Sequence, residues 1–208
     1  MGRYTNPKCR LCRREGMKLF LKGIRCESEK CALARRDYPP GNISLRRGKV
    51  SSFGEGLREK QKVKRFYGVF EEQFRRYFAE AQRSKGNTGE TLMTLFERRL
   101  DNVVLKLGWA MSHAEARQLI AHGHINVNDH RVNVPSYLAE IGDEMKVRGH
   151  EKSQKRTRTR LDETKGRQCP AWIVANNEQL SGKITALPTR EDVSIPVQEQ
   201  LIIELLSK

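Results

Sequence analysis

The chain has 208 residues, with 40 basic against 25 acidic side chains, a net charge of +15 and 37% hydrophobic residues. That length allows one large or two small domains, and so large a positive excess repels itself unless a polyanion neutralises it. Nucleic acid is therefore the leading partner and an anionic membrane surface the runner-up, but no apolar run approaches the ~18 residues of a membrane span. The amino terminus MGRYTNPKCR has no hydrophobic signal segment, so a cytoplasmic chain with reduced cysteines is expected.

The first 45 residues lack a sustained period and hold four of the five cysteines, spaced Cys9-x2-Cys12-x13-Cys26-x4-Cys31. Two short bites joined by a loop match a structural four-thiolate zinc site, and four thiolates leave no open position for a substrate water. An iron–sulfur cluster uses the same donor set and stays open. The segment has too few apolar residues to fold by burial alone, so one structural metal ion makes thermodynamic sense. It would fix Arg10, Arg13, Arg14, Lys18, Lys22 and Arg25 as a preorganised basic surface, which loses less entropy on binding phosphate than a floppy tail. Cys169, alone before Pro170, reads as an incidental thiol.

Charge is uneven along the chain. Residues 1–50 carry a net +10, residues 92–150 net zero, and residues 151–167 a net +4. Counterion release scales with the phosphates neutralised, so the first and last of these segments should dominate salt-dependent affinity.

From Leu57 the pattern turns helical, with Val63, Phe66, Phe70, Phe74, Phe78 and Ala81 on one stripe and Gly68 dividing it into two helices. Asn87 with Glu90 marks a helix start. The apolar series Leu92, Leu95, Phe96, Leu100, Val103, Val104 and Leu107 then predicts one helix of four turns, ended by Gly108. SHAE at Ser112–Glu115 is a capping box opening a helix from His113 to about His122, with Gly123 just past its end. INVNDHRVNV alternates as a hairpin that turns at Asp129–His130, and GDEMKVR adds a strand. Residues 151–167 read as a polar helix or linker, WIVA and KITAL as short strands, and PVQEQLIIELLSK as a docked segment, strand or helix.

The segment from Glu97 to Arg148, ERRLDNVVLKLGWAMSHAEARQLIAHGHINVNDHRVNVPSYLAEIGDEMKVR, resembles an RNA-binding module of two helices and a small sheet. With CRLCRREG, RRDYPPG, LREKQKVKRFYG and IPVQEQLIIELLSK in order, nearly the whole chain resembles the bacterial small-subunit ribosomal protein S-four family, in its zinc-binding, cysteine-bearing form. The resemblance implies an α+β fold. A basic four-cysteine zinc knuckle would span 1–45 and the helical part of the N-terminal domain 46–96. The two-helix/hairpin RNA-binding module would span 97–160, and further short strands with a segment docking back on the body 161–208.

It implies a structural constituent of the small subunit that grips a junction in the 5′ domain of small-subunit ribosomal RNA and nucleates assembly. Such a protein also touches neighbouring small-subunit ribosomal proteins and lines the messenger RNA entry channel, where it influences accuracy. It implies no enzyme, no small-molecule substrate and no membrane. In the cysteine-bearing members the zinc ligands match Cys9, Cys12, Cys26 and Cys31. The RNA-binding candidates are Arg3, Arg10, Arg13, Arg14, Lys18, Lys22, Arg35, Arg36, Arg46, Arg47, Lys49, Arg58, Lys62 and Arg65 in the first half. In the module they are Arg98, Arg99, His113, Arg117, Gln118, His122, His124, Asn128 and Arg131, with Asn126 beside them.

Structured RNA is read by shape, phosphates and 2′-hydroxyls, so a module of net charge zero must gather its basic groups on one face to bind it. Arg99 has another option, since Asp101 and Glu97 can pair with it. Two positions depart from the family pattern: GNIS follows Pro40 where Gly-Gln-His-Gly is usual, and Asn128-Asp129 replaces the usual Asn-Gly. Asp129 adds a negative charge and should point away from phosphate. The rival readings are a pseudouridine synthase, which needs a catalytic domain this chain has no room for, and a zinc-dependent DNA-binding regulator, whose finger spacing is missing.

Overall fold

The computed structural model describes residues 2, 4–41 and 51–207. Expectations placed on Arg3, on Asn42, Ile43 and Ser44 of the GNIS loop, and on Arg46, Arg47 and Lys49 fall outside the described residues. In chain order the helices are α1 (Cys9–Glu15), α2 (Ala32–Arg35), α3 (Ser52–Phe66), α4 (Glu71–Arg83), α5 (Thr88–Glu97), α6 (Leu100–Lys106), α7 (His113–Ala121), α8 (Glu151–Glu163) and α9 (Glu199–Ser207). A 3₁₀ turn covers Gly23–Cys26, and the strands are β1 (Ile125–Val127), β2 (His130–Arg131), β3 (Glu144–Val147), β4 (Ile173–Asn176) and β5 (Ser181–Ile184). The chain divides into two compact units, Met1–Leu92 with Ser194–Lys208, and Met93–Val193. The expected 161–208 segment is thus shared: β4 and β5 belong to the second unit, and only the end returns to the first.

In the first unit α3 starts earlier than its apolar pattern. Ser51 caps it, its Oγ accepting the Gly54 N–H at 3.2 Å. Gly54 and Gly56 weaken the helical signal there, and Gly56 has a reason to be small. A Cβ on it would lie 2.9 Å from the Leu201 carbonyl oxygen of α9. The docked end is therefore a helix laid against α3, with Ile202 buried.

The stripe is interrupted between α3 and α4. Val63, Phe74, Phe78 and Ala81 are buried, but Phe70 sits in extended backbone at the N-cap of α4 and is 47% exposed. Glu71 then opens α4, where the helix dipole favours an acid, and takes Lys60 Nζ at 2.7 Å and Lys64 Nζ at 3.0 Å from α3. Burial would raise the Glu71 carboxyl; the two lysine hydrogen bonds outweigh it and hold it at about 2.

In the second unit a five-stranded antiparallel sheet runs in the order β2-β1-β3-β5-β4. Its core joins Leu100, Val103, Val104 and Leu107 of the α6 region and Leu119 and Ile120 of α7 to Ile125, Met145, Ile173 and Ile184 of the strands. The single helix expected from Leu92 to Leu107 is two. Arg99 is extended, bridged to Leu138, and the first N–H groups of α6 go to the loop before β3: Leu100 to the Tyr137 carbonyl at 2.8 Å and Asp101 to that of Pro135 at 3.1 Å. The apolar period survives the break because residues on both sides of it are buried. The hairpin turns one residue earlier than expected, at Asn128-Asp129, with φ of +49° and +66° as a two-residue turn of this hand requires.

Candidate nucleic-acid interface

The site begins at the end of α7. Ser112 caps the helix, its Oγ accepting the Glu115 N–H at 3.4 Å, while the Glu115 carboxylate reaches back to the Met111 N–H at 3.0 Å, one residue before the expected box partner. At the other end Gly123 takes a φ of +71° and turns the chain into β1. This turn brings His122 and His124 together, ring centroids 6.0 Å apart. Arg131 of β2 lies across it and donates from Nη2 to the His122 carbonyl at 3.4 Å. The absent Gly123 side chain makes room, since a Cβ there would stand 2.0 Å from Arg131 Nε.

The His124 ring shares a 2.9 Å hydrogen bond with Ser153 Oγ of α8. Burial lowers the His124 pKa, and His122, Arg156, His150 and Arg131 lower it further. Groups from the end of α7, from β2, from the N-cap of α8 and from α8 itself therefore act on one imidazole. All are cationic or become so on protonation. Beyond them on α8, Lys152, Lys155 and Arg158 are exposed, with no carboxylate partner among the described residues. The opposite stripe, Ser153, Thr157 and Thr164, is buried, and this fixes which way the helix faces.

Of the module's expected contacts, His122, His124 and Arg131 come together, with Gln118 exposed one turn before His122. Others are engaged within the module, Arg99 and His113 in its buried interior. Arg99 is 2% exposed and clasps Asp101 with Nε at 3.0 Å and Nη2 at 2.7 Å. Arg117 meets the same carboxylate at 2.8 Å. Burial would raise Asp101, and the Arg99 and Arg117 charges prevail and hold it low. His113 is buried and shares a 3.2 Å hydrogen bond with Asn102 Oδ1; burial pushes it down to about 4. Asn102 in turn donates to the buried Glu97 carboxylate at 2.6 Å.

Arg98 donates to the Ala139 carbonyl at 2.9 Å, and Asn128 spans Asp143 Oδ1 at 2.7 Å and the Glu144 N–H at 3.0 Å. Asn126 is half-buried in β1, its Oδ1 buried without a partner among the described residues. Asp129 is paired with Lys146 at 3.5 Å.

In the first unit Arg10, Arg14, Lys18, Lys22, Arg25, Arg35 and Arg36 are exposed, with no carboxylate partner among the described residues. Arg10 and Arg14 share one face of α1. Four other candidates are turned inward. Arg13 stacks 4.7 Å from the Tyr38 ring centroid and donates to the Tyr38 carbonyl at 3.0 Å. Arg58 and Arg65 both hold the buried Glu15 carboxylate, and Lys62 reaches Glu59 and the Pro196 carbonyl.

The cysteines are in no disulfide. Cys9 and Cys12 lie on α1, Cys26 ends the 3₁₀ turn and Cys31 precedes α2; all but Cys9 are buried. Burial raises the Cys12 thiol, with Cys26, Cys9 and Cys31 adding to the rise, so the other three sulfurs lie within electrostatic reach of Cys12. Among the described residues no three His, Cys, Asp or Glu side chains stand in a ligating arrangement.

His150, Arg156 and the free cations of α8 were missed residue by residue. Their signal was the net +4 of residues 151–167, which marked the segment without saying which side of a helix it would present.

Comparison with known proteins defines the class. Residues 3–97 match the ribosomal protein S4/S9 N-terminal domain and residues 98–145 match the S4 domain. Curated relatives match over the full length of both chains: 55% identity to small ribosomal subunit protein uS4 of Caldicellulosiruptor saccharolyticus, 53% to that of Pelobacter propionicus and 51% to that of Acetivibrio thermocellus. The chain belongs to the small ribosomal subunit protein uS4 family.

Proposed function

We propose that this chain is a structural, non-enzymatic component of the small ribosomal subunit on the cytoplasmic ribosome, and that it binds small-subunit ribosomal RNA at a junction of the 5′ domain. The observation that carries the reading is the joining of His122, His124, Arg131, His150 and Arg156 at one place on a module whose central segment has no net charge. Such a face suits a folded RNA, whose phosphates and 2′-hydroxyls are what a protein can reach. The exposed cations of α8 add phosphate contacts in the second unit, and those of α1 and α2 supply contacts of their own in the first. The same reading has the chain nucleate subunit assembly, touch neighbouring ribosomal proteins, and contribute to the messenger RNA entry channel and to accuracy. No helix among the described residues is long and apolar enough to cross a membrane.

The test is affinity for a 5′-domain fragment of small-subunit ribosomal RNA at physiological salt, against excess transfer RNA. Tight binding that survives the competitor is expected. Binding that the competitor abolishes reduces the +15 charge to a general polyanion affinity and overturns the reading.

One structural zinc ion held by Cys9, Cys12, Cys26 and Cys31 belongs to the proposal. Its support is the donor set: four thiols free of disulfides, three of them buried, with Cys9, Cys26 and Cys31 within electrostatic reach of Cys12. A divalent cation would displace the thiol protons, neutralise that mutual repulsion and tie α1, the 3₁₀ turn and α2 together. Elemental analysis of the purified chain is expected to give one zinc per molecule, lost in Cys12→Ser. Iron with visible absorption would replace zinc by a cluster, and no metal at all would remove the site.

A further inference from the structure

We propose that His122, His124 and His150, framed by Arg131 and Arg156, form a proton-linked phosphodiester site: the protein takes up protons from solvent when RNA binds there. The inference rests on the RNA-binding reading above and adds to it how the contact is charged.

The argument is geometric first. The rings of His122 and His124 are 6.0 Å apart, Arg131 reaches the His122 carbonyl, and the His124 ring is hydrogen-bonded at 2.9 Å to Ser153 of α8, the helix that carries Arg156 and that His150 caps. Three imidazoles and two guanidiniums so placed repel one another once protonated. Of the carboxylates carried by the surrounding elements, all but Glu151 are paired with cations. Glu115 of α7 is held by Arg156 at 3.0 Å and Arg160 at 2.9 Å. On α8, Glu151 is exposed in the first turn, Asp162 pairs with Lys165 and Glu163 with Arg160. In the sheet, Asp129 and Glu144 both meet Lys146.

Without an anion, the crowding of positive groups favours neutral His124, and its lowered pKa agrees. A phosphodiester reverses the sign of the environment, since a nearby negative charge favours the charged imidazole. Each ring that gains a proton takes it on its free ring nitrogen from the buffer acid, which is left as its conjugate base. An imidazole whose pKa rises by about one unit across neutrality gains about half a proton at pH 7. By linkage, affinity then strengthens roughly fivefold per such histidine from pH 7.5 to pH 6.

Calorimetric titration of the full chain with the 5′-domain fragment, in buffers of different ionisation enthalpy at pH 7, measures protons exchanged directly. Net uptake is expected in the natural chain and lost in the variant carrying H122Q, H124Q and H150Q together. Binding with no proton uptake overturns this inference and leaves the RNA reading standing. Uptake that persists in the triple variant also overturns it, because the protons would then reside on the RNA or elsewhere on the chain. A natural chain that fails to bind the fragment removes both.

Discussion

Asp101 is 1% exposed and holds two guanidiniums, Arg99 in two hydrogen bonds and Arg117 in one. Removing it strands both cations in the interior, where breaking a buried pair typically costs about 3–5 kcal/mol. Asp101→Ala should therefore lose stability in that range by denaturant titration, with Arg117→Ala milder because Arg99 keeps its partner.

His113, next to this network, makes a second prediction. It titrates at about 4 in the fold against 6.5 when unfolded. Its contribution is fully present above pH 6.5 and is lost as pH falls toward 4, because the unfolded chain binds the proton first; the loss comes to about 3 kcal/mol. In His113→Asn the stability–pH curve should flatten between those limits; an unchanged slope would mean that another group titrates there. These residues were the least legible from sequence. Arg99 and His113 read as donors because their residue types suit RNA, and only Asp101 and Glu97 nearby hinted at the pairing. Which of a polar residue's partners wins depends on burial, and burial is set by residues far along the chain.

At the scale of elements, Glu71 and Gly123 each hold a junction between neighbours. Glu71 ties α4 to α3 through Lys60, which is only 7% exposed. Glu71→Gln should cost about 2–3 kcal/mol, mostly by leaving the Lys60 ammonium buried without its carboxylate. The Glu71 contribution is present above pH 4.5 and lost as pH falls toward 2. This window lies below that of His113, so acid titration should show two successive losses.

The second junction is Gly123. Gly123→Ala strains a left-handed backbone and drives Arg131 off the His122 carbonyl. Expected are about 1 kcal/mol of lost stability and weaker RNA binding by filter assay, with the salt slope also reduced. Elements were far more legible than side chains. Caps at Ser112 and Asn87, the glycines 68 and 123, and the alternation of β1 each fixed a boundary by local chemistry. The break at Arg98–Arg99 was invisible because the carbonyls that satisfy α6 come from residues 135 and 137.

At the scale of the whole chain, the second unit's core contains no residue of the first. A fragment of residues 93–193 should therefore unfold as one cooperative transition, indifferent to chelators. With the proposed zinc bound, chelation of the full chain should remove a separate transition belonging to the first unit; coincident loss of both would contradict the division. The order of an N-terminal domain followed by an RNA-binding module was legible in sequence and agrees with the family matches. Sequence left the sharing of 161–208 between units undecided, because a strand is assigned to a sheet by its partner and not by its own residues.

The pairing of α3 with α9 bears on how the protein is made. The first unit closes with a helix that follows the whole of residues 93–193, and the bare backbone of Gly56 waits for it from early in translation. During synthesis the middle of the chain can finish before its beginning. Bringing the distant segments together is a slow, long-range closure. A chain truncated before Ser194 would expose the face of α3 that α9 covers, and so would be distinguishable from a finished molecule by its surface alone.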